Sequence, residues 1–444
     1  MTALSTDALR AAFSGSILID GDEGFAAFPY PVGAPSLVVR PHNTDDVATA
    51  LRFAADNTLA VSVRSGGHSA GAYTSVAGGL VLDLSALNEI AVDGTIVTVG
   101  SGAVWGQVAA TLGEHGLALS SGDTTSVGVG GLTLGGGVGW LVRQYGLALD
   151  SLLSARVVTA AGQLVTASAD ENPELFWAIR GGGGNFGVVT DFTFEAHPLD
   201  AVVHGVITFQ TDDLAALLRG YRDVLRDAPE QLNVTFVDFP PMGPAMPGGP
   251  ALHVVWGGSD LDEAMVHIAP LLALNGVTGH DIAVKPYADV LDTPHPPEGD
   301  APMPVFVGNN GWVNDFSDAA IDGIAAMKES LGGSVLMIRY LRGAFNRVPA
   351  DSTAFAWRDA ETLVISIAFL PPDAPAEAID GVNAAWATAQ QFTEGTYGNF
   401  LTVAGERVVS RMYPPATLAR LAAAKKVWDP TNVFSQNQNV LPAS

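Results

Sequence analysis

The sequence predicts a mixed α+β protein in which a glycine-rich first part precedes a part with longer helices and strands. Two observations support this prediction. Between Gly66 and Gly187 the chain alternates short apolar runs with turn residues, and after about residue 197 the predicted elements lengthen. The chain has 444 residues, 48% of them hydrophobic, which is enough for two or three domains with large cores.

The first part contains strands and helices with separate signals. Short runs rich in Val, Leu or Thr and bounded by turn residues predict strands at 60–63, 80–84, 96–99, 155–159 and 188–194. Helical periodicity appears at 44–57, 104–115 and 172–179. Asn43 or Thr44 can cap the first of these helices, and Pro173 suits the first turn of the last one.

The second part predicts an antiparallel sheet backed by helices. Strands are predicted at 202–209, 232–237, 251–256, 334–340 and 362–369, and helices at 212–227, 260–274, 318–331 and 374–391. Two proline-rich stretches, 240–250 and 294–304, are predicted to be surface loops, with loops over a substrate entrance as the alternative. A last helix at 414–428 precedes an amide-rich stretch at 431–440.

Charge and composition exclude several classes of function. The chain has 21 Lys+Arg against 46 Asp+Glu, and this net charge of −25 disfavours nucleic acid and anionic membranes as partners. It has no cysteine, which excludes disulfides, thiolate nucleophiles and cysteine-ligated metals. The start lacks a signal-peptide pattern, and the uncharged stretch 124–142 contains seven glycines, which disfavour a helix. We interpret the chain as soluble and cytoplasmic.

One short motif matches a serine hydrolase. Residues 67–71 fit the pattern G-x-S-x-G, with Ser69 as the nucleophile. The motif needs a helix directly after it and a histidine late in the chain, but residues 72–79 are polar and the last histidine is His295. The context therefore argues against a hydrolase, which remains an alternative from another class.

A second motif fits the dinucleotide pattern G-x-G-x-x-G at residues 182–187. The fingerprint requires a strand before it and a helix after it, so that the helix N-terminus meets the pyrophosphate. Here a predicted helix precedes the motif and a predicted strand follows. A glycine-rich turn is the simpler interpretation.

A third feature combines two glycine-containing segments. Residues 64–69 directly follow a strand, and their small side chains would allow backbone N–H groups to converge on an anion. Residues 122–140 carry so many glycines that little apolar side chain can be buried there. An extended ligand lying against bare backbone would explain the run, and a flexible linker is the alternative.

With these segments the sequence resembles the FAD-linked oxidases of the vanillyl-alcohol oxidase/PCMH superfamily, in the berberine-bridge-enzyme-like branch. The resemblance rests on R-S-G-G-H-S at 64–69, the glycine run at 127–140 and N-P-E-L-F-W-A-I-R-G-G-G-G-N-F-G at 172–187. It continues with Y-G-N-F at 397–400, residues 425–434 and Asn437-Gln438-Asn439. The segments follow the family's order along nearly the whole chain.

The resemblance implies a PCMH-type FAD domain of two α/β subdomains at 1–196, a substrate domain at 197–396, and a C-terminal segment, 397–444, that returns to the FAD domain. His68 occupies the position that the family joins covalently to the 8α-methyl group of the flavin. Thr124 stands where many members have a second linking cysteine, so only the His68 link can form. The other implied cofactor contacts are Arg64, Ser65, Gly66, Gly67, Ser69, Gly122, Thr124, Val127, Gly128, Gly130, Gly131, Gly135, Gly136, Gly139, Val189, Asn399, Asn437 and Asn439.

The implied reaction moves a hydride from a small organic alcohol or amine to flavin N5, and dioxygen then reoxidises the flavin to give hydrogen peroxide. A dehydrogenase or cyclase with another electron acceptor is the alternative. An alcohol substrate needs a base, for which Tyr397 is the first candidate and Tyr413 the second; the pKa of a base tyrosine would have to be lowered from about 10.

The substrate pocket is expected in the middle part of the chain. Its candidate residues are Phe236, Trp256, Asn310 and Trp312, which lie on or beside predicted strands, and core packing explains the aromatic ones equally well. The implied partners are therefore a small-molecule substrate and dioxygen. No metal site and no oligomeric state are predicted.

Overall fold

A computed structural model describes residues 5–25, 33–69, 73, 75–241, 248–293 and 304–444. Its first sheet has four strands, β1 (Ser16–Leu18), β2 (Leu37–Arg40), β3 (Val61–Arg64) and β4 (Leu80–Asp83), in the order β1-β2-β4-β3. Helices α1 (Asp7–Ala12) and α2 (Thr44–Asp56) pack beside it. The predicted cap is confirmed, because the Asn43 side chain accepts a hydrogen bond from the N–H of Asp46.

The second sheet is fully antiparallel. Its order is β5-β6-β10-β8-β9, with β5 (Ile90–Asp93), β6 (Ile96–Gly100), β8 (Leu152–Val158), β9 (Leu164–Ser168) and β10 (Val188–Glu195). A separate ribbon pairs β7 (Leu117–Ala118) with β11 (His197–Pro198). Helices α3 (Trp105–Gly113) and α6 (Pro173–Ile179) bury their apolar residues in the core of this sheet.

The prediction that the glycine run avoids a helix was wrong. Residues Val129–Gly135 form helix α4, and a short helix α5 (Val142–Tyr145) follows. Two N–H groups at the start of α4 donate to the rest of the fold, from Val129 to the carbonyl of Ala103 and from Gly130 to that of Ser101. Such tertiary contacts offset the weak helix propensity of glycine. Gly136, with φ +142°, ends the helix.

The largest sheet has seven antiparallel strands in the order β15-β12-β14-β13-β17-β18-β16. They are β12 (Val202–Phe209), β13 (Leu232–Phe239), β14 (Gly249–Trp256), β15 (Val277–Lys285), β16 (Val305–Val313), β17 (Val335–Tyr340) and β18 (Thr362–Leu370). One face packs against α7 (Leu214–Asp227), α8 (Leu261–Leu272), α9 (Asp318–Leu331) and α11 (Ala376–Gln390). The predicted sheet backed by helices is confirmed, although β15 and β16 were not predicted.

Both predicted proline-rich loops fall largely on residues 242–247 and 294–303, which lie outside the described residues. The other connections include the short helix α10 (Ala344–Arg347) between β17 and β18. No helix in the described ranges is both long enough and apolar enough to cross a membrane.

The C-terminal segment packs on the first part of the chain. Helices α12 (Glu406–Met412) and α13 (Pro415–Trp428) precede the tail, and Leu421 of α13 lies in the same core as α6. The fully buried ammonium of Lys425 donates to the carbonyls of Asn185 and Phe434 and pairs with Asp429. This network fixes the amide-rich tail against the turn that follows α6.

Candidate active site

Two predicted cofactor loops cross at a pair of glycines. A Cβ added to Gly66 would lie 2.7 Å from Cα of Gly128, and one added to Gly128 would lie 2.8 Å from Cα of Gly66. Neither position has room for a side chain. Ser65, the residue before the crossing, donates from Oγ to the carbonyl of Ser101 at 2.7 Å. These glycines are therefore required for backbone to meet backbone, which the sequence did not show.

Arg64 lies at the root of the first loop, where it is buried and paired with Asp83 at 2.9 Å. Arg40 also pairs with Asp83, at 2.7 Å. Burial alone would raise the pKa of Asp83, but the two guanidinium groups outweigh it and lower that pKa. The structure thus assigns Arg64 an ion pair that holds the end of β3.

His68 is exposed at the far end of this loop, and its Nε2 lies 2.8 Å from Oγ of Ser126. Gly67 supplies the turn before it with φ +74°, a conformation that other residues rarely adopt. Partial desolvation lowers the pKa of His68, so the imidazole is neutral at pH 7. Ser69 is also exposed, and in the described part of the chain its hydroxyl bonds to no histidine. The end of the hydrolase-like motif, residues 70–71, lies outside the described residues.

The glycine run mostly faces protein, not open space. A Cβ would meet Leu132 at Gly122, Ser101 at Gly130, Asn399 at Gly135, Tyr397 at Gly136 and Ser121 at Gly139, each within about 3.1 Å. Only at Gly131 among these predicted contacts does a Cβ meet nothing within 4 Å. Close packing between protein segments therefore accounts for most of these glycines, which is a reason for glycine that the sequence analysis did not identify.

Three further predicted contacts have structural partners of their own. The carbonyl of Val127 accepts from the N–H of Trp105 at the start of α3. Thr124 forms an isolated β-bridge with Asp292. Val189 is buried in the core of the second sheet. A cofactor contact from Thr124, Val127 or Val189 would have to use atoms other than those that already contact protein.

Tyr397 is buried between the glycine run and the large sheet. Its hydroxyl accepts hydrogen bonds from the N–H of Gly137 at 2.8 Å and from Nδ2 of Asn399 at 2.9 Å. Asn310 on β16 accepts from the N–H of Tyr397 at 2.6 Å and from the Thr396 hydroxyl at 2.9 Å. Burial raises the pKa of Tyr397 to about 12, and the hydrogen bonds to its oxygen do not outweigh this effect. This direction is opposite to the one a base at neutral pH requires.

Tyr413 is fully enclosed in the same neighbourhood. Its hydroxyl donates to the carbonyl of Gly181 at 3.1 Å, and burial raises its pKa. Both tyrosines line one small cavity, together with Gly135, Gly181 and Phe355. The structure brings the two candidates together, and the bond to Gly181 assigns Tyr413 a structural contact.

The two predicted C-terminal amides are only partly paired. Asn437 donates from Nδ2 to the carbonyls of Gly184 and Phe434. Its Oδ1 and that of Asn439 are buried, and neither accepts a hydrogen bond from a described residue. Gln438, between them, donates to the carbonyl of Val403. Buried acceptors of this kind require a partner, which a bound polar group would supply.

Side chains alternate between the two faces of the large sheet, and this alternation divides the four predicted pocket residues between the two faces. Phe236 and Trp256 point to the face that α7, α8 and α9 cover, and both belong to that core. Asn310 and Trp312 point to the opposite face, where the Trp312 ring lies 5.5 Å from the Tyr397 ring. Core packing therefore explains the first pair, and the second pair borders the candidate site.

The same face carries polar residues that the sequence analysis missed. Arg339 pairs with Asp123, and its Nε and Nη1 are buried without a partner in the described ranges. Thr235 stands beside both Arg339 and His253 in the register of the sheet. The His253 ring stacks on Trp140 at 6.0 Å. A charged or polar residue inside an apolar predicted strand was the signal that could have identified Arg339 and His253.

These observations fit a bound FAD. No hydrogen bond between described residues uses the N–H groups of Gly66, Gly67 or His68, so they can face an anion such as a pyrophosphate. The C-terminal tail contributes two buried acceptors, Oδ1 of Asn437 and Oδ1 of Asn439, that have no partner among the described residues. Gly131 adds an open position in the glycine run, where a Cβ would meet nothing within 4 Å. A polar, extended ligand matches this set of donors and acceptors.

Comparison with known proteins identifies the relatives. A family model described as an FAD binding domain matches residues 35–168, and one described as berberine and berberine-like matches residues 396–441. (R)-6-hydroxynicotine oxidase of Paenarthrobacter nicotinovorans is 33% identical and covers 97% of both chains. An uncharacterized FAD-linked oxidoreductase of Bacillus subtilis (strain 168) is 30% identical over 97% of this chain and 98% of its own.

Solved structures agree. 6-Hydroxy-D-nicotine oxidase of Arthrobacter nicotinovorans superposes with a TM-score of 0.83 at 31% identity, covering 97% of this chain and 98% of that one. Glucooligosaccharide oxidase of Acremonium strictum, with a 6-S-cysteinyl, 8α-N1-histidyl FAD, gives 0.85 at 25% identity and 98% of both chains. The chain therefore belongs to the FAD-linked oxidoreductases that join an FAD binding domain to a berberine-bridge-enzyme-like C-terminal segment, and it is an enzyme of that oxidase family.

Proposed function

We propose that this chain oxidises a small organic alcohol or amine, with FAD held by one covalent bond to His68 and dioxygen as the electron acceptor. The observation that carries the proposal is the position of His68, exposed at the end of a loop that the Gly66–Gly128 crossing fixes. The oxidases among the relatives support the same chemistry.

The residues present support a single covalent bond. The chain has no cysteine, and Thr124 stands at the position of the second link in other members of the family. A neutral imidazole is the nucleophilic form of histidine, and the lowered pKa of His68 keeps the ring in that form at pH 7. The histidyl half of the double link named for glucooligosaccharide oxidase is therefore the one that His68 can form.

We also propose that residues 1–196 and 397–444 hold FAD and that residues 197–396 form the substrate domain. The contacts of the C-terminal tail support this division, because Lys425 and Asn437 bond to the turn at Gly184 and Asn185. The family matches support the same division, because the FAD binding domain model matches within the first part and the berberine-like model matches the C-terminal segment. In this arrangement the face of the large sheet that carries Asn310 and Trp312 is the one nearer the flavin.

Bound FAD supplies a two-electron acceptor at N5 for a substrate hydride, and dioxygen receives the electrons as hydrogen peroxide. Tyr397 is the side chain that we place beside the substrate. Its pKa of about 12 keeps it protonated at pH 7. Its oxygen accepts from Gly137 and Asn399, and no acceptor among the described residues takes its O–H hydrogen, so this hydrogen can donate to a substrate oxygen or nitrogen. In this role Tyr397 orients the substrate instead of removing its proton.

Acid precipitation of the purified protein tests the covalent bond. We expect the yellow colour to stay with the pellet in the wild type and in the matched control His115→Ala, and to enter the supernatant in His68→Ala. Colour in the wild-type supernatant would contradict the covalent bond but not the FAD-dependent chemistry. A panel of alcohols and amines, assayed for both peroxide and dye reduction, then tests the acceptor. Dye reduction without peroxide would identify a dehydrogenase.

A further inference from the structure

We propose that Ser126 is a positioning residue for the covalent attachment of FAD: its hydroxyl holds Nε2 of His68, so that Nδ1, the N1 atom of the histidyl link named for glucooligosaccharide oxidase, is the nitrogen turned to the flavin. This inference rests on the single His68 bond of the proposed function. The hydroxyl oxygen of Ser126 lies 2.8 Å from Nε2 of His68, within hydrogen-bond distance. In the tautomer that carries its proton on Nε2 and donates it to the Ser126 oxygen, Nδ1 is the ring nitrogen that can attack a carbon atom.

The backbone holds Ser126 in place relative to His68. The carbonyl of Ser126 is 3.0 Å from a Cβ placed on Gly66, so the two loops meet where the glycines cross. The neighbours of Ser126 are also fixed, because the carbonyls of Thr125 and Val127 accept from the first N–H groups of α3. Ser126 therefore has little freedom to move away from the imidazole.

The direction of the hydrogen bond determines the reactive nitrogen. When Nε2–H donates to the Ser126 oxygen, Nδ1 carries the free lone pair. Attachment forms a bond between Nδ1 and the 8α carbon, breaks one C–H bond of that methyl group and releases the proton of the imidazole. Two electrons and two protons pass to dioxygen, which becomes hydrogen peroxide.

Ser126 also assists the step electrostatically. As Nδ1 gives up its lone pair, positive charge develops on the ring and Nε2–H becomes a stronger donor. A hydroxyl oxygen at 2.8 Å stabilises that charge. Because this chain has no cysteine for a second link, the rate at which His68 reacts sets the rate of covalent loading.

Time-resolved loading tests the role of Ser126. Protein is produced without riboflavin, mixed with FAD in air, and sampled for intact mass and for flavin fluorescence in a denaturing gel. We expect Ser126→Ala to attach FAD about 10- to 100-fold more slowly than the wild type, the range for losing a hydrogen bond to a charged group. Ser126→Thr, which keeps the hydroxyl, should load at close to the wild-type rate, and so should Ser330→Ala, a serine on the exposed face of α9.

Two further measurements separate positioning from a general loss of binding. Equilibrium binding of FAD before attachment should be unchanged in Ser126→Ala, whereas His68→Ala should bind FAD and never attach it. NMR of the flavin peptide after digestion should locate the bond at Nδ1. Wild-type loading rates in Ser126→Ala, or a bond at Nε2, would overturn the role of Ser126 while leaving the His68 bond intact. A wild type that never gains mass would instead contradict the His68 bond itself.

Discussion

The two regions that border the site are built on opposite principles. At Gly66 and Gly128 the loops touch through main-chain atoms, and neither glycine position has room for a side chain. In the seven-stranded sheet the contacts are made by side chains, which alternate between a helix-covered apolar face and an opposite face that packs apolar residues and Asn310 against Tyr397. The first region tolerates almost no change of residue. The second can change its side chains without moving its backbone, which suits a surface that selects substrates.

One ion pair joins these two regions. Asp123 belongs to the segment that leads into the glycine run, and Arg339 lies on β17 of the sheet. Burial would raise the pKa of Asp123, but Arg339 and the Thr124 hydroxyl outweigh burial and lower it. Substitutions at three places probe this comparison. Gly128 probes the glycine crossing, Asp123 probes the ion pair that joins the two regions, and Asn310 probes the sheet.

The largest expected effect is that of Gly128→Ala. Its methyl group would lie 2.8 Å from Cα of Gly66 and even closer to the Gly66 nitrogen, so the backbone itself must move. We expect a loss of at least about 3 kcal/mol in the free energy of unfolding, at the upper end for overpacking, together with loss of bound FAD. Urea unfolding and the ratio of flavin to protein measure the two effects.

Gly131→Ala is the matched control, because its methyl group meets nothing within 4 Å and alanine favours a helix. We expect the unfolding free energy of apoprotein to stay the same or rise by up to about 1 kcal/mol. Equal losses in the two variants would mean that glycine is required throughout the run for flexibility, and that the crossing has no special role.

The sequence predicted regular elements well where one local signal was enough. The strand β12 (Val202–Phe209) and the helix α9 (Asp318–Leu331) have the predicted bounds. The helix α4 was missed because its stability comes from bonds to Ala103 and Ser101, which are distant contacts that no local pattern contains. Propensity alone could not predict it.

The sequence motifs could predict candidate site residues but not the geometry that brings them together. The R-S-G-G-H segment indicated His68, but its partner Ser126 is 58 residues away and only the fold brings the two together. In the same way, Phe236 and Asn310 were equivalent candidates for the substrate pocket, and β16, which carries Asn310, was not predicted. Which face of the sheet meets the glycine run depends on the packing of whole elements, so the sequence could not separate core from site.

Breaking the ion pair between Asp123 and Arg339 should have the next largest effect on the free energy of unfolding. Asp123→Asn leaves the buried guanidinium of Arg339 without its counter-charge. Because the Asp123 side chain keeps some contact with solvent, we expect a loss of about 3 kcal/mol at pH 7, at the lower end for a broken buried pair. The exposed Asp289→Asn should change the unfolding free energy by less than about 0.5 kcal/mol.

The same pair predicts a pH dependence. A carboxyl whose pKa is lower in the folded state stabilises the protein above its unfolded pKa, and this contribution is lost as the pH falls through the folded pKa. The difference between wild type and Asp123→Asn should therefore be constant from pH 7 to about pH 5 and shrink below about pH 4. Thermal unfolding midpoints across this range measure it. A difference that persists at pH 2 to 3 would show that shape, and not charge, is what the variant removes.

The smallest of these effects is expected at Asn310, where the sheet holds Tyr397 by side-chain contacts. Asn310→Ala removes the acceptor of the Tyr397 N–H and of the Thr396 hydroxyl, and also the donor to the Tyr397 carbonyl at 3.2 Å. Leaving these buried groups unpaired should cost about 2 kcal/mol of unfolding free energy.

The neighbouring Asn309 supplies the control, because among the described residues its side-chain amide makes a single, exposed hydrogen bond, to Asn383 at 3.3 Å. Asn309→Ala should stay within about 0.5 kcal/mol of the wild type. The comparison between the two regions adds a sharper expectation. If the sheet acts on the site only through side chains, Asn310→Ala will load FAD at the wild-type rate and yet turn over substrate more slowly, because Tyr397 is displaced while the glycine crossing is untouched. Slow loading in Asn310→Ala would instead mean that the two regions form one mechanical unit.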